Sequence, residues 1–129
     1  MPLQVELVSP EEVLYEGEAQ MVVARTVGGG DIAFLPGHTP FLGVLDTARV
    51  ILRPESGDDK VIAVHGGFVE VSDDHVTILS EVAEMADDID VDRARRARDD
   101  AQQAPDDDDE ARGRLRRAET RLRTAGAED

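Results

Sequence analysis

The stretch Gly28-Gly29-Gly30-Asp31-Ile32-Ala33-Phe34-Leu35-Pro36-Gly37-His38-Thr39-Pro40-Phe41-Leu42 decides how the rest of the chain is read. Three consecutive glycines reach positive φ without a Cβ penalty, so the chain can turn sharply there. Ile32 to Leu35 then forms a short apolar run that reads as a buried strand. Pro36-Gly37 and Pro40 end it, because each proline removes a backbone donor and fixes φ. A rigid loop remains, with His38 and Thr39 at a polar tip between two apolar stretches. On local physics alone this is a strand–turn–strand corner of a β domain.

The residues on either side extend that pattern. Leu3, Val5 and Leu7 alternate with Gln4, Glu6 and Val8, the period of a half-buried strand. Val13 to Tyr15 and Ala19 to Val27 read as further strands, with Gly17 a bulge or bend between them. Val44-Leu45, Ala48 to Arg53, Val61 to Val64, Phe68 to Val71 and Val76 to Leu79 follow. Pro54 to Asp59 and Asp73-Asp74 are polar turns, and Gly66-Gly67 predicts a tight hairpin. About ten short strands with glycine and proline turns predict a two-sheet β-sandwich or flattened barrel. Its core is expected to hold Val5, Leu7, Val22, Ile32, Phe34, Leu45, Val50, Leu52, Ile62, Val64, Val69, Val71 and Ile78.

Beyond Met85 the period changes. Val91, Ala94, Ala97, Ala101 and Ala104 form one helical stripe, and Pro105 stops it. Asp88 or Asp90 can cap its start. Ala111, Leu115, Ala118, Leu122 and Ala125 mark a second helix, with arginines toward its carboxyl end, where they suit the dipole, and Gly126 as a stop. The short connection predicts an antiparallel hairpin. The expected organisation is α+β: a sandwich over residues 1–87 and a helical hairpin over 88–129. A seam of alanines buries little area, and helices this short are marginal alone, so the hairpin depends on what it leans against.

Charge marks the same boundary. The chain carries 14 basic and 29 acidic residues, a net charge of −15. Residues 1–87 contribute −12 and residues 88–129 contribute −3. That balance argues against direct binding of nucleic acid or anionic lipid. The absence of cysteine excludes thiolate chemistry and suits a reducing compartment. No apolar run approaches the ~20 residues that span a bilayer, and Met1 to Glu6 lacks the basic flank of a signal peptide.

Candidate chemistry is sparse. Gly28 to Gly30 are not followed by the Gly-Lys-Ser/Thr of a phosphate loop. His38, His65 and His75 show no metal-site spacing and read as loop or turn residues. Asp58-Asp59 and Asp73-Asp74 fall in turns where acids are solvated, and Ser72 and Ser80 have no base nearby in sequence. No catalytic residue is expected. The sharper constellation is Ile89-Asp90-x-x-Arg93-Ala94, with Glu84 before it and Arg117 and Arg121 after. Arginines across a hairpin can hold phosphates; equally, this is a helix cap with ordinary surface arginines.

Three segments in register carry a resemblance. Asp31 to Leu42 resembles the Gly-Glu-Leu-Gly-Ile-Leu-Pro-Gly-His-x-Pro-Leu-Leu signature of the epsilon subunits of F-type ATP synthase. Ala63-Val64-His65-Gly66-Gly67-Phe68-Val69-Glu70-Val71 resembles that family's second glycine corner, and Ile89 to Ala94 fits its Ile/Leu-Asp-x-x-Arg-Ala segment. The resemblance implies a non-catalytic, proton-translocating-complex subunit of the central stalk, peripheral at the cytoplasmic face of the bacterial cell membrane. It implies gamma-subunit contact along an apolar face near Leu42, and contact with the c-ring through the loop of Asp31 and His38. It further implies a hairpin whose Arg112, Arg114, Arg116, Arg117, Arg121 and Arg123 pair with acidic loops of the alpha/beta catalytic head and inhibit hydrolysis. No cofactor is required; ATP as a regulatory ligand is implied at Glu84, Ile89, Asp90, Arg93, Ala94, Arg117 and Arg121. Asp100 stands where ATP-binding members carry a basic residue, so the expected affinity is weak or absent.

Overall fold

Alternating burial is what organises the first two thirds of the chain. Leu3, Val5 and Leu7 point inward and are at most 3% exposed, while Gln4 between them faces solvent. In a computed structural model describing residues 2–127, this alternation builds eight strands. They are β1 (Leu3–Val8), β2 (Val13–Ala19), β3 (Met21–Thr26), β4 (Gly30–Phe34), β5 (Phe41–Arg53), β6 (Lys60–Ser72), β7 (His75–Leu79) and β8 (Ala83–Met85). A 3-10 turn at Ala86–Asp88 leads into α1 (Val91–Gln102) and α2 (Asp109–Ala125).

The hydrogen-bonded order is β2-β1-β7-β6-β5-β3-β4, with β8 also on β6. Only β1 and β7 run parallel; the other pairs are antiparallel. The long strands β5 and β6 belong to both layers of the sandwich. Their Phe41–Leu45 and Gly67–Ser72 halves join β7, β1 and β2, whereas Thr47–Arg53 and Lys60–His65 join β3, β4 and β8. Between the halves the ladder steps from Leu45↔Gly67 to Thr47↔His65.

That step corrects the expected hairpin at Gly66-Gly67, and with it the segmentation into about ten strands. Gly66 (φ +86°) and Gly67 (φ +122°) lie inside β6, where they make a bend rather than a turn. A Cβ on Gly67 would run into the Leu79 carbonyl of β7, so only glycine admits that close approach. The true β6–β7 turn is Asp73-Asp74, both at positive φ. Val44-Leu45 and Ala48 to Arg53 are likewise one strand, and Ala19 to Val27 divides at Gln20. Gly17 stays within β2 opposite Val5, covered by the Tyr15 ring. The short β8 has no alternating pattern to reveal it.

The core closes between the layers around Phe34, Leu3, Leu7, Ile62, Ile78, Val22, Val64, Val69, Val71 and Val76. Of the expected core only Ile32 is partly exposed; Leu3, Ala19, Ala24 and Val76 join it. The outer surfaces of the two layers differ. On the β6–β8 layer, Ala63 is fully buried although it faces away from the sandwich interior, because α2 packs across β5 and β6 there. On the other layer the in-register neighbours Val44, Phe68, Leu79, Val8 and Val13 run across five strands on one face. Four of these five are open, Val44 and Phe68 at 51% and Val13 at 52%.

The helices follow their caps. Asp90 Oδ1 accepts from the Arg93 N–H at 3.1 Å, and Asp108 Oδ1 accepts from Ala111 N–H at 3.0 Å. Of the two aspartates considered for the first cap, Asp90 performs it. α1 ends at Gln102, so Ala104 lies past the helix, and Gly126 closes α2 at φ +73°. The seam consists of Ala94, Ala101, Ala111, Ala118 and Leu122, with Thr120 and Thr124 also buried. Thr124 satisfies its hydroxyl on the Thr120 carbonyl at 2.7 Å. Leu122 is the largest side chain the hairpin buries fully. Among the described residues no helix is long and apolar enough to cross a membrane.

Candidate functional site

Alanines on α1 and arginines on α2 leave a cleft of about 350 Å³ between the hairpin and the end of the sandwich. It is lined by Glu84, Asp88, Asp90, Arg93, Ala94, Ala97, Arg114, Arg117 and Arg121. Residues far apart in sequence meet here because β8 sets Glu84 beside β6 and the α1–α2 turn folds α2 back over it. Ala94 and Ala97 present no bulk, which keeps the cleft open.

At its inner wall, Glu84 Oε1 accepts from Arg121 Nε at 2.6 Å and from His65 Nε2 at 3.1 Å. The His65 side chain is 3% exposed, and its Nδ1 is buried without a hydrogen-bond partner. Burial pushes the Glu84 carboxyl upward, but the hydrogen bonds from Arg121 and His65 outweigh it and hold it below the usual carboxylate range. Burial pushes His65 down; Glu84 pulls it back, and Arg121 and Arg117 add repulsion, leaving it below an open imidazole. Arg93 and Arg117 form no ion pair among the described residues. Two unneutralised guanidiniums beside a small-residue floor can take a phosphate or carboxylate in fork geometry.

Glu84, Asp90, Arg93, Ala94, Arg117 and Arg121 therefore meet in one cleft, as expected of a shared site. Ile89 does not line it: the side chain is 8% exposed, packed beneath the entry to α1. The Asp90 carboxylate is engaged in capping α1, and Asp100 is exposed on α1 outside the lining. Asp88, Ala97 and His65 were not singled out for this site by sequence. His65 was read as a turn residue, yet it sits in mid-strand on β6, and β8, which brings its partner, carries no alternation to disclose it. His75 likewise opens a strand.

The arginines of α2 are not one face. Arg112 pairs with Asp109, and Arg114 with Glu110 at 3.1 Å; Arg112, Arg116 and Arg123 are exposed. Arg117 and Arg121 turn inward to the cleft and are half-buried. At the opposite region, His38 stacks edge-on against Phe34 at 5.0 Å, and its Nδ1 lies 2.7 Å from the Thr39 carbonyl. Gly37 N–H donates to Asp74 Oδ1 at 2.7 Å, tying this loop to the β6–β7 turn. Asp31 is exposed and bridged by Arg25 at 2.9 Å, a hydrogen bond that lowers its carboxyl. Leu42 is 70% exposed, two residues along β5 from Val44.

The family model described as "ATP synthase, Delta/Epsilon chain, beta-sandwich domain" matches residues 2–86. The ATP synthase epsilon chain of Streptomyces griseus is 48% identical over 94% of this chain and 93% of its own length. That of Thermobifida fusca is 48% identical over 98% and 94%. Among solved structures, a chain of the Euglena gracilis mitochondrial ATP synthase (OSCP/F1/c-ring) superposes with a TM-score of 0.71 at 21% identity. The match covers 98% of this chain and 78% of that one. A chain of the Tetrahymena thermophila mitochondrial ATP synthase central stalk and c-ring gives 0.61 at 17% identity over 97% of both. Such low identity speaks of fold, and the coverage extends that likeness to both helices. With its sandwich matched by the family model and nearly its whole length by close relatives, the chain belongs to the ATP synthase epsilon family, whose members are non-catalytic subunits.

Proposed function

We propose that this chain connects the gamma subunit to the c-ring in the central stalk, as a peripheral subunit at the cytoplasmic face of the cell membrane, and brakes ATP hydrolysis with its hairpin. The observation that carries the connector half is the apolar stripe Val44–Phe68–Leu79–Val8–Val13, left open on one layer while the hairpin covers the other. An in-register apolar row across five strands marks a protein-binding surface rather than scattered exposure. Leu42 extends it, and gamma is the partner proposed for it. The loop of Asp31 and His38, braced by Asp74, is the polar end proposed to meet the c-ring.

The brake half rests on the thin seam. With alanines and one leucine as its buried apolar groups, α2 is held by little, and states a few kcal/mol apart interconvert. Released, α2 would expose Arg117 and Arg121 together with Arg114 and Arg116 to the acidic loops of the catalytic head. ATP is the second ligand proposed, because Arg93 and Arg117 stand unpaired in the cleft with Glu84 and Ala94. Asp88 in the lining opposes a triphosphate, so binding is weak.

Phe68→Asp places a charge mid-stripe without touching the core; co-purification with gamma is expected to fall sharply, and retention would overturn the connector reading. Deleting residues 88–129 is expected to leave assembly intact and raise hydrolysis by the purified complex; no rise removes the brake. Calorimetric titration with millimolar ATP is expected to show weak heat abolished by Arg93→Ala, and a flat trace removes the nucleotide.

A further inference from the structure

We propose that His65 is the proton-sensitive catch of the hairpin: protonating its ring releases α2 from the sheet. The argument begins with the crowded oxygen. Glu84 Oε1 on β8 receives both the Arg121 Nε of α2, at 2.6 Å, and the His65 Nε2 of β6, at 3.1 Å. This one carboxylate thus joins the sandwich to the hairpin. A neutral His65 fits the place: Nε2–H donates to Glu84, and the bare Nδ1 asks only for an acceptor's modest desolvation cost. A protonated ring does not fit. Its second N–H would be a buried cationic donor with no acceptor, which is far costlier than a bare lone pair.

The charges around the ring act in the same direction. α2 aims Arg117 and Arg121 at it, and β8 supplies Glu84, whose near oxygen is already shared with Arg121. β5, opposite in the ladder, contributes the uncharged Thr47. Departure of α2 removes both guanidiniums and admits water to Nδ1, so the released state binds the proton more readily. Burial and the two arginines lowering His65 in the docked state accord with this. The sign follows: docking is intact above the value of an open imidazole, about 6.5, and weakens as pH falls toward the lower docked-state value.

The inference rests on the reading of the hairpin as movable, but its test reads docking itself. In the full chain, amide hydrogen exchange of α2, corrected for intrinsic rates, is followed from neutral pH down to just above the carboxylate range. Protection of Leu115 to Leu122 is expected to fall by up to about tenfold per pH unit below about 6.5, with Val69 and Ile78 in the sheet unchanged. His65→Gln, which still donates to Glu84 but does not titrate, is expected to flatten that slope. A flat wild-type profile, or the same slope in the variant, overturns the catch. The wild-type ring itself gives a second measurement: His65 titrating at or above exposed His75 by NMR overturns it too. A flat exchange profile leaves the brake standing, whereas truncation without effect on hydrolysis leaves the catch standing.

Discussion

Leu122→Ala tests whether the hairpin is a separable unit. Leu122 is 1% exposed and is the largest side chain that α2 buries fully, its other buried apolar contacts being alanines. Truncating a fully buried leucine costs about 2–5 kcal/mol, and a surface helix that partly closes the gap belongs near 3. At 1.4 kcal/mol per factor of ten, that shifts the docking equilibrium by somewhat over a hundredfold. A seam made of alanines has little with which to offset it. The assay exploits the composition: the chain has one tyrosine and no tryptophan, and Tyr15 lies in β2, packed on the sandwich core. Tyrosine fluorescence therefore reports the sandwich, and helical circular dichroism reports mostly α1 and α2. In urea the variant is expected to lose its helical signal early while the Tyr15 transition keeps its midpoint. If both signals shift together by the same amount, the hairpin and sandwich share one cooperative core, and the argument for a movable element fails.

Gly67→Ala must clear the Leu79 carbonyl from a φ of +122°, so a cost of about 1–3 kcal/mol is expected in the Tyr15 transition; a loss under about 0.5 kcal/mol would refute the close approach. The Glu84 carboxyl, held low by Arg121 and His65 against its burial, stabilises docking above the ordinary carboxylate pKa of about 4.3 and loses that contribution as pH falls through its folded value. Glu84→Gln should abolish this most acidic loss of α2 protection, and its persistence would assign the acid phase elsewhere. Asp108→Ala removes the side-chain acceptor for Ala111 N–H and is expected to destabilise α2 by about 1 kcal/mol, read as earlier loss of helical signal; an unchanged midpoint would show that the cap contributes nothing.

Much of this protein is written locally. Period-two alternation marked β1, β3 and the β5–β6 pair, and three- and four-residue spacing marked α1 and α2, because burial on one face leaves a periodic trace. Glu84, Asp90, Arg93, Ala94, Arg117 and Arg121 were legible as a set through their resemblance to a family motif. The rest depended on three dimensions. Gly66-Gly67 looks the same in sequence whether it turns a hairpin or bends one strand between two layers, and only the approach of the Leu79 carbonyl decides it. The stripe Val44–Phe68–Leu79–Val8–Val13 gathers residues from five strands, so no single segment announces it. His65 became a buried partner of Glu84 and Arg121 because β8 and α2 converge on β6 from distant parts of the chain. Sequence alone determined the elements and their amphipathic faces, since those follow from each residue's own chemistry. Tertiary structure decided which faces meet, because register and crossing geometry belong to pairs of segments and to neither one alone.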